Sequence, residues 1–198
     1  MIHFAPFHTR RLNVEFHEIS IANAVRLANI PDTRNEAATT ELLRMATSAM
    51  PGLTLLDPAL WTVQERMLGV GYYLAHVAED GPDFSLGTAR YSDYLDADRD
   101  YPEHETARLG DVGGDTWSMQ PLLGAEATAI ESLGDGAMHW LTGAMAAQSG
   151  GDGEEARPDA FTDPVRYGEW LRARMDVIQA YPESEFVLLL AQYESGMQ

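Results

Sequence analysis

Helix-start and helix-stop signals cut the chain at short intervals, and this punctuation constrains the fold more than any other feature. Ser20 stands ahead of Ile21, Ala24, Val25 and Ala28, an i, i+3, i+4, i+7 apolar stripe behind a capping residue. Asn29-Ile30-Pro31 ends that helix, because a residue before proline avoids the helical region. Thr33 and Glu36 make a T-x-x-E capping box for a second helix, with an apolar face of Ala38, Leu42, Met45, Ala46 and Ala49 and a stop at Pro51-Gly52. Asp57-Pro58 joins a capping side chain to a proline at the first helical position, and Thr62 with Glu65 supplies another capping box. The third helix then carries Val63, Met67, Val70, Leu74 and Val77 on one side. Gly69 and Gly71 within it are read as points where a neighbouring backbone packs closely.

The second half repeats the pattern. Pro121 opens a fourth helix with Leu123, Ala127 and Ile130, ended by Gly134. Asp135 starts a fifth, with Met138, Leu141, Ala144 and Met145 along one side. Asp163-Pro164 starts a sixth, with Tyr167, Leu171, Met175 and Ile178. Tyr181-Pro182 breaks it, and a last helix carries Phe186, Leu189, Leu190 and Tyr193. The fold class expected is mainly α, with six or seven helices.

Three stretches depart from this pattern. In residues 2–18, Leu12, Val14 and Phe16 alternate with Asn13, Glu15 and His17, the period of a half-buried strand. This predicts a short N-terminal β-ribbon turning near Thr9-Arg10, which needs support from helices or a partner because two strands are not stable alone. Residues 79–118 read as a long irregular excursion. Short strands at Phe84 to Leu86 and Thr116 to Met119 are one reading of it; an ordered loop with one or two helical turns, punctuated by Phe84, Tyr91, Tyr94, Tyr101 and Trp117, is the favoured one. Residues 149–160, rich in Gly and Asp, read as a mobile loop. The whole chain, 1–198, is expected to be a single domain.

Charge narrows the function classes. The chain has 31 acidic and 13 basic residues, a net −18, and every basic residue is arginine. Nucleic-acid binding requires clustered cations against phosphates, so neither a nucleic acid nor an anionic membrane surface is expected as a partner. The absence of cysteine excludes disulfides, thiolate metal sites and cysteine nucleophiles, and fits synthesis in a reducing cytoplasm. Met1 to Phe7 lacks the features of a secretory signal, and no run of about 18 apolar residues predicts a membrane span.

No motif carries a catalytic assignment. Asp96, Asp98 and Asp100, in an acidic run from Asp93 through Glu103, His104 and Glu105, have the D-x-D-x-D spacing of a calcium loop. The sixth and twelfth positions are then Tyr101 and Ala107 where Gly and Glu are required, so the run reads as a solvated acidic loop. Magnesium-assisted phosphoryl chemistry on the same carboxylates lacks a lysine and a phosphate loop. His3, His8 and His17 would form a three-His site only if the ribbon folds back on itself; lone histidines on strands are more often ordinary packed or surface residues. His76, His104 and His139 complete the set, and no HExxH occurs. Ser118, Ser132 and Ser149 lack a nucleophile-elbow context, and Gly110 to Gly114 reads as a turn. Trp61, Trp117, Trp140 and Trp170 read mostly as core. No residue is therefore assigned a catalytic, cofactor-binding or metal-binding role.

Several segments carry a family resemblance. Glu18 to Ala28, the Ile30-Pro31 break and Glu36 to Arg44 are similar to the N-terminal part of tailed-bacteriophage tail and baseplate morphogenesis proteins, a group that includes the baseplate hub assembly proteins of the T-even phages. Trp61 to Arg66, Gly81-Pro82-Asp83-Phe84, Tyr91 to Leu95 and Tyr181 to Phe186 also resemble that group. The resemblance implies a non-enzymatic protein, either a structural component or an assembly chaperone, that binds other tail or baseplate proteins. It implies residence in the host cytoplasm during assembly, or in the virion tail, with homo-oligomerisation as a further option. Edge strands of the ribbon could then join a partner's sheet. Two other readings of the residues stay open: an acidic adaptor or inhibitor of a basic host protein, and a metal-dependent hydrolase using the 93–105 carboxylates or the histidines.

Overall fold

The computed structural model describes residues 4, 6–9, 11–54, 56–77, 85–86, 89–90, 107–148 and 157–196. The protein is mainly α, with seven α-helices among the described residues and a short N-terminal antiparallel ribbon. Where the sequence pattern is read as one domain, the chain groups into two compact units, 1–103 and 104–198, each with its own apolar core.

In the first unit, β1 (Phe7–His8) pairs antiparallel with β2 (Asn13–Phe16), Phe7 opposite Val14. Val14 and Phe16 are buried while Asn13 and Glu15 are exposed, as the alternation requires. The turn between the strands is closed by Thr9, whose hydroxyl accepts from the Leu12 N–H at 2.9 Å. The support that a ribbon needs comes partly from a third strand, β3 (Thr47–Ala49), which pairs antiparallel with the other edge of β2. The helical stripe places these residues at the end of the second helix, and the structure corrects this. That helix, α2 (Asn35–Ala46), instead stops at Thr47, whose hydroxyl donates to the Leu43 carbonyl at 2.6 Å and closes the last turn.

α1 (Ile21–Ala28) begins at Ser20, whose hydroxyl accepts from the Asn23 N–H. After a 3-10 turn at Pro58–Leu60, capped by Asp57, α3 (Val63–Val77) opens with a reciprocal box. Thr62 N–H donates to Glu65 at 2.8 Å and Glu65 N–H donates to Thr62 Oγ1 at 3.1 Å. Thr62→Ala is expected to cost about 1 kcal/mol in urea denaturation, the usual worth of such a cap, and an unchanged midpoint would count against the cap. The inward face of α3 is not the predicted stripe. Arg66, Gly69, Gly71 and Tyr73 are buried, while Met67 and Leu74 are exposed. Gly69 allows this: a Cβ there would stand 3.2 Å from Leu43 and Trp61 side-chain atoms and 3.4 Å from Phe16. The close approach expected at this glycine is thus made by side chains.

The described residues of the 79–118 stretch are strands rather than helical turns. β4 (Ser85–Leu86) pairs with β5 (Ala89–Arg90), and β6 (Ala107–Val112) pairs with β7 (Asp115–Met119) around a turn at Gly113-Gly114. Both turn glycines have positive φ, and a Cβ on Gly113 would meet the Tyr181 ring at 2.5 Å. Trp117 on β7 is buried and donates to the Val112 carbonyl.

The second unit adds α4 (Gly124–Leu133), α5 (Ala137–Gln148), α6 (Pro164–Gln179) and α7 (Glu183–Gly196). α6 buries Tyr167, Leu171, Met175 and Ile178, the predicted stripe, and Asp163 caps it. α5 buries Met145 and packs Leu141 and Ala144 of the predicted stripe against the core, but Met138 is exposed and Thr142, Gly143, Ala146 and Ala147 are buried as well. Gly143 meets Ile130 of α4 so closely that a Cβ would lie 2.7 Å from it, and this small-residue seam widens the inward face beyond the stripe. Of the stretch read as a mobile loop, residues 149–156 lie outside the described residues. Arg157 and Pro158 are partly buried and Ala160 is buried, so its last part is packed. No helix among the described residues is long and apolar enough to cross a membrane.

Candidate functional site

The acidic run 93–105 and His3 lie outside the described residues. His8 and His17 are exposed, on β1 and just after β2. Among the described residues no group of three His, Asp or Glu is placed to hold a metal ion. His76 hydrogen-bonds the Tyr72 carbonyl of its own helix through Nδ1 at 2.8 Å, and His139 of α5 the Ile130 carbonyl of α4 through Nε2 at 2.9 Å. Ser132 donates back to the Ala129 carbonyl, and Ser118 sits on β7. Trp61 and Trp117 are fully buried, as expected for core residues.

The unexpected feature is charge inside both units. In the first, Arg66 of α3 is buried and reaches α2. Its Nη1 donates to Glu36 Oε2 at 2.7 Å, and its Nη2 donates to the Glu36 carbonyl at 2.6 Å and Thr40 Oγ1 at 3.0 Å. The N-cap of α2 is Arg34 rather than Thr33, so the T-x-x-E spacing does not mark the start of the helix. α2 has no side-chain cap, and its first-turn carboxylate serves an interhelical ion pair instead. Arg66 is buried, so breaking this pair would leave an uncompensated charge in the core. A more exposed pair ties α2 to the turn before α3: Arg44 bonds both oxygens of Asp57 at 2.9 and 3.1 Å. Burial works against the Asp57 carboxylate, yet the Arg44 bonds and the Ala59 N–H outweigh it and hold the acid below its ordinary range.

In the second unit, Glu126 of α4 is buried. It accepts the Leu123 N–H at 2.9 Å, ending the helix in place of a capping residue, and pairs with Arg157 from the segment before α6. The Arg157 guanidinium lies 5.8 Å from the ring centres of both Tyr167 and Trp170. Burial raises the Glu126 carboxyl above its ordinary value, and the charge of Arg157 offsets this only in part. Burial likewise pushes the Tyr167 phenol up, with the Glu126 charge adding to it. Arg174 is buried 5.1 Å from the ring centre of Trp117. Each of these groups ties one element to another inside a unit. Sequence spacing could not reveal them, because the partners stand 30 and 31 positions apart.

The surface holds the feature best suited to a function. α1 has no buried residue. Its apolar stripe of Ile21, Ala24, Val25 and Ala28 is exposed, with Ile21 at 84% and Val25 at 56%, while Asn23 and Leu27 are the half-buried positions. Eight residues are too few for a stable helix in water unaided. Ser20 caps one end, and the Asn29 amide closes the other by donating to the Val25 carbonyl at 2.9 Å. Met67, 68% exposed, and Leu74 add apolar surface on α3 of the same unit. Compared with known proteins, the chain matches no family model, no curated sequence and no solved structure.

Proposed function

We propose that the chain is a non-enzymatic assembly protein that binds other proteins, of the tail and baseplate morphogenesis type its sequence resembles. It would act in the host cytoplasm during assembly or as part of the tail. The observation that supports this reading is the outward apolar stripe of α1, held on a capped helix that buries no residue of its own. An amphipathic helix presented in this way suits the apolar groove of a partner. Its exposure is otherwise a cost, because isolated apolar patches of this kind promote aggregation.

The test is a pull-down with tagged protein from phage-infected lysate, at low and high salt, comparing wild type with Ile21→Asp. Tail-tube, tape-measure or baseplate proteins are expected to be retained at high salt and depleted about tenfold or more by the substitution. The melting transition should move little, since Ile21 is exposed. Recovery of a host protein alone, lost at high salt, would favour the second reading, an acidic adaptor or inhibitor of a basic protein. The net charge of −18 supports that second reading.

A further inference from the structure

α7 buries Leu189 and Tyr193, while Glu183, Ser184, Val187, Leu188, Ala191 and Glu194 form its exposed face. Val187 is 55% and Leu188 48% exposed, so the centre of this outer face is apolar. Its ends are acidic, with Glu183 and Glu185 in the first turn and Glu194 in the last, and the helix contains no basic residue. None of the three carboxylates makes an ion pair among the described residues. Glu194 also stands where helix carbonyls repel a carboxylate and where Lys or Arg would be favourable. The surrounding unit has sixteen acidic residues against five arginines, and Arg157 and Arg174 are engaged in its interior.

We propose that the outer face of α7 is a docking site for a partner protein that offers an apolar helix face bordered by Lys or Arg. Charge complementarity selects this occupant. A second copy of the chain would bring the same carboxylates together, and a nucleic acid or anionic membrane would be repelled. The inference rests on the protein-binding reading but uses a different helix and a different unit from α1.

The test titrates the full chain with an 18-residue amphipathic Leu/Lys helical peptide, followed by calorimetry and backbone amide shifts. Shifts are expected to cluster on residues 183–194. Leu188→Ser should weaken binding about tenfold or more, and Glu194→Arg severalfold. Ile21→Asp and Glu169→Arg, the latter an equally exposed charge change on α6, should leave it unchanged, and circular dichroism melts should confirm that each variant folds. Absence of binding overturns the proposal. So do shifts spread over the chain with every charge reversal acting alike, which would indicate general attraction. A concentration-dependent dimer abolished by Leu188→Ser also overturns it, because the face would then belong to a second copy. If Ile21→Asp abolishes tail-protein capture while α7 fails this titration, the protein-binding reading stands and the α7 inference alone falls.

Discussion

Trp61→Ala is expected to remove about 3–5 kcal/mol from the first unit, the range for deleting a fully buried large aromatic. The indole is completely enclosed and lies against Gly69 and the Leu43 cluster. Its Nε1 donates to the Leu56 carbonyl at 2.8 Å, so the substitution also leaves that acceptor without its donor. The residue stands directly before the Thr62–Glu65 box, so the indole sets where α3 begins against α2. Typical stabilities are only about 5–15 kcal/mol, so the loss should appear as a large fall in the urea midpoint and in hydrogen-exchange protection of α2 and α3 amides. A loss below about 1 kcal/mol would mean that the site collapses around the smaller side chain and that the packing described here does not control the unit.

The second large effect is expected at Arg157. Arg157→Met keeps apolar contact with Tyr167 and Trp170 but strands the Glu126 carboxylate in a buried site, at a cost of about 3–5 kcal/mol at neutral pH. The pH dependence follows from the direction of the Glu126 shift. Burial already raises that carboxyl above its ordinary value, and Arg157 supplies the main opposing influence. The folded state therefore holds the proton at a pH where the unfolded chain has released it. The favourable contribution of Glu126 is present at acid pH and is lost as pH rises through the folded pKa. Removing Arg157 raises that pKa further, so the penalty of the variant should shrink as the solution is acidified and grow toward neutrality. Adding Glu126→Gln to Arg157→Met should abolish the difference between acid and neutral pH while keeping an acceptor for the Leu123 N–H. A penalty independent of pH, measured by denaturation at several pH values, would show that the ion pair is not what Arg157 contributes.

Much of the helical framework was legible before any coordinates. Ser20, Asp57, Thr62 with Glu65, and Asp163 all cap where their spacing predicts, because a cap is a hydrogen bond to a backbone only two or three residues away. The stripes of α6 and α7 also bury as read, since Tyr167, Leu171, Ile178, Leu189 and Tyr193 all reach the core. On α4 Ala127 and Ile130 are buried as predicted too, but the stripes of α1 and α3 identify an apolar side without saying what covers it. On α1 that side faces water, and on α3 Met67 and Leu74 yield the interior to Arg66, Gly69 and Tyr73. The α1 surface was therefore hidden behind residues that read as core.

Taken alone, the amino-acid order determined the mainly α class, the N-terminal ribbon, the boundaries of most helices and the exclusion of cysteine chemistry, since each depends on local backbone bonds or on composition. Tertiary structure decided the rest. It joined Glu36 of α2 to Arg66 of α3, placed Thr47–Ala49 in a strand through pairing with β2 where the stripe predicts helix, and seated Gly143 of α5 against Ile130. In each case a contact between separate elements outweighed a local preference worth about 1 kcal/mol or less, because burying or pairing a side chain inside a core involves larger energies than any single cap or propensity.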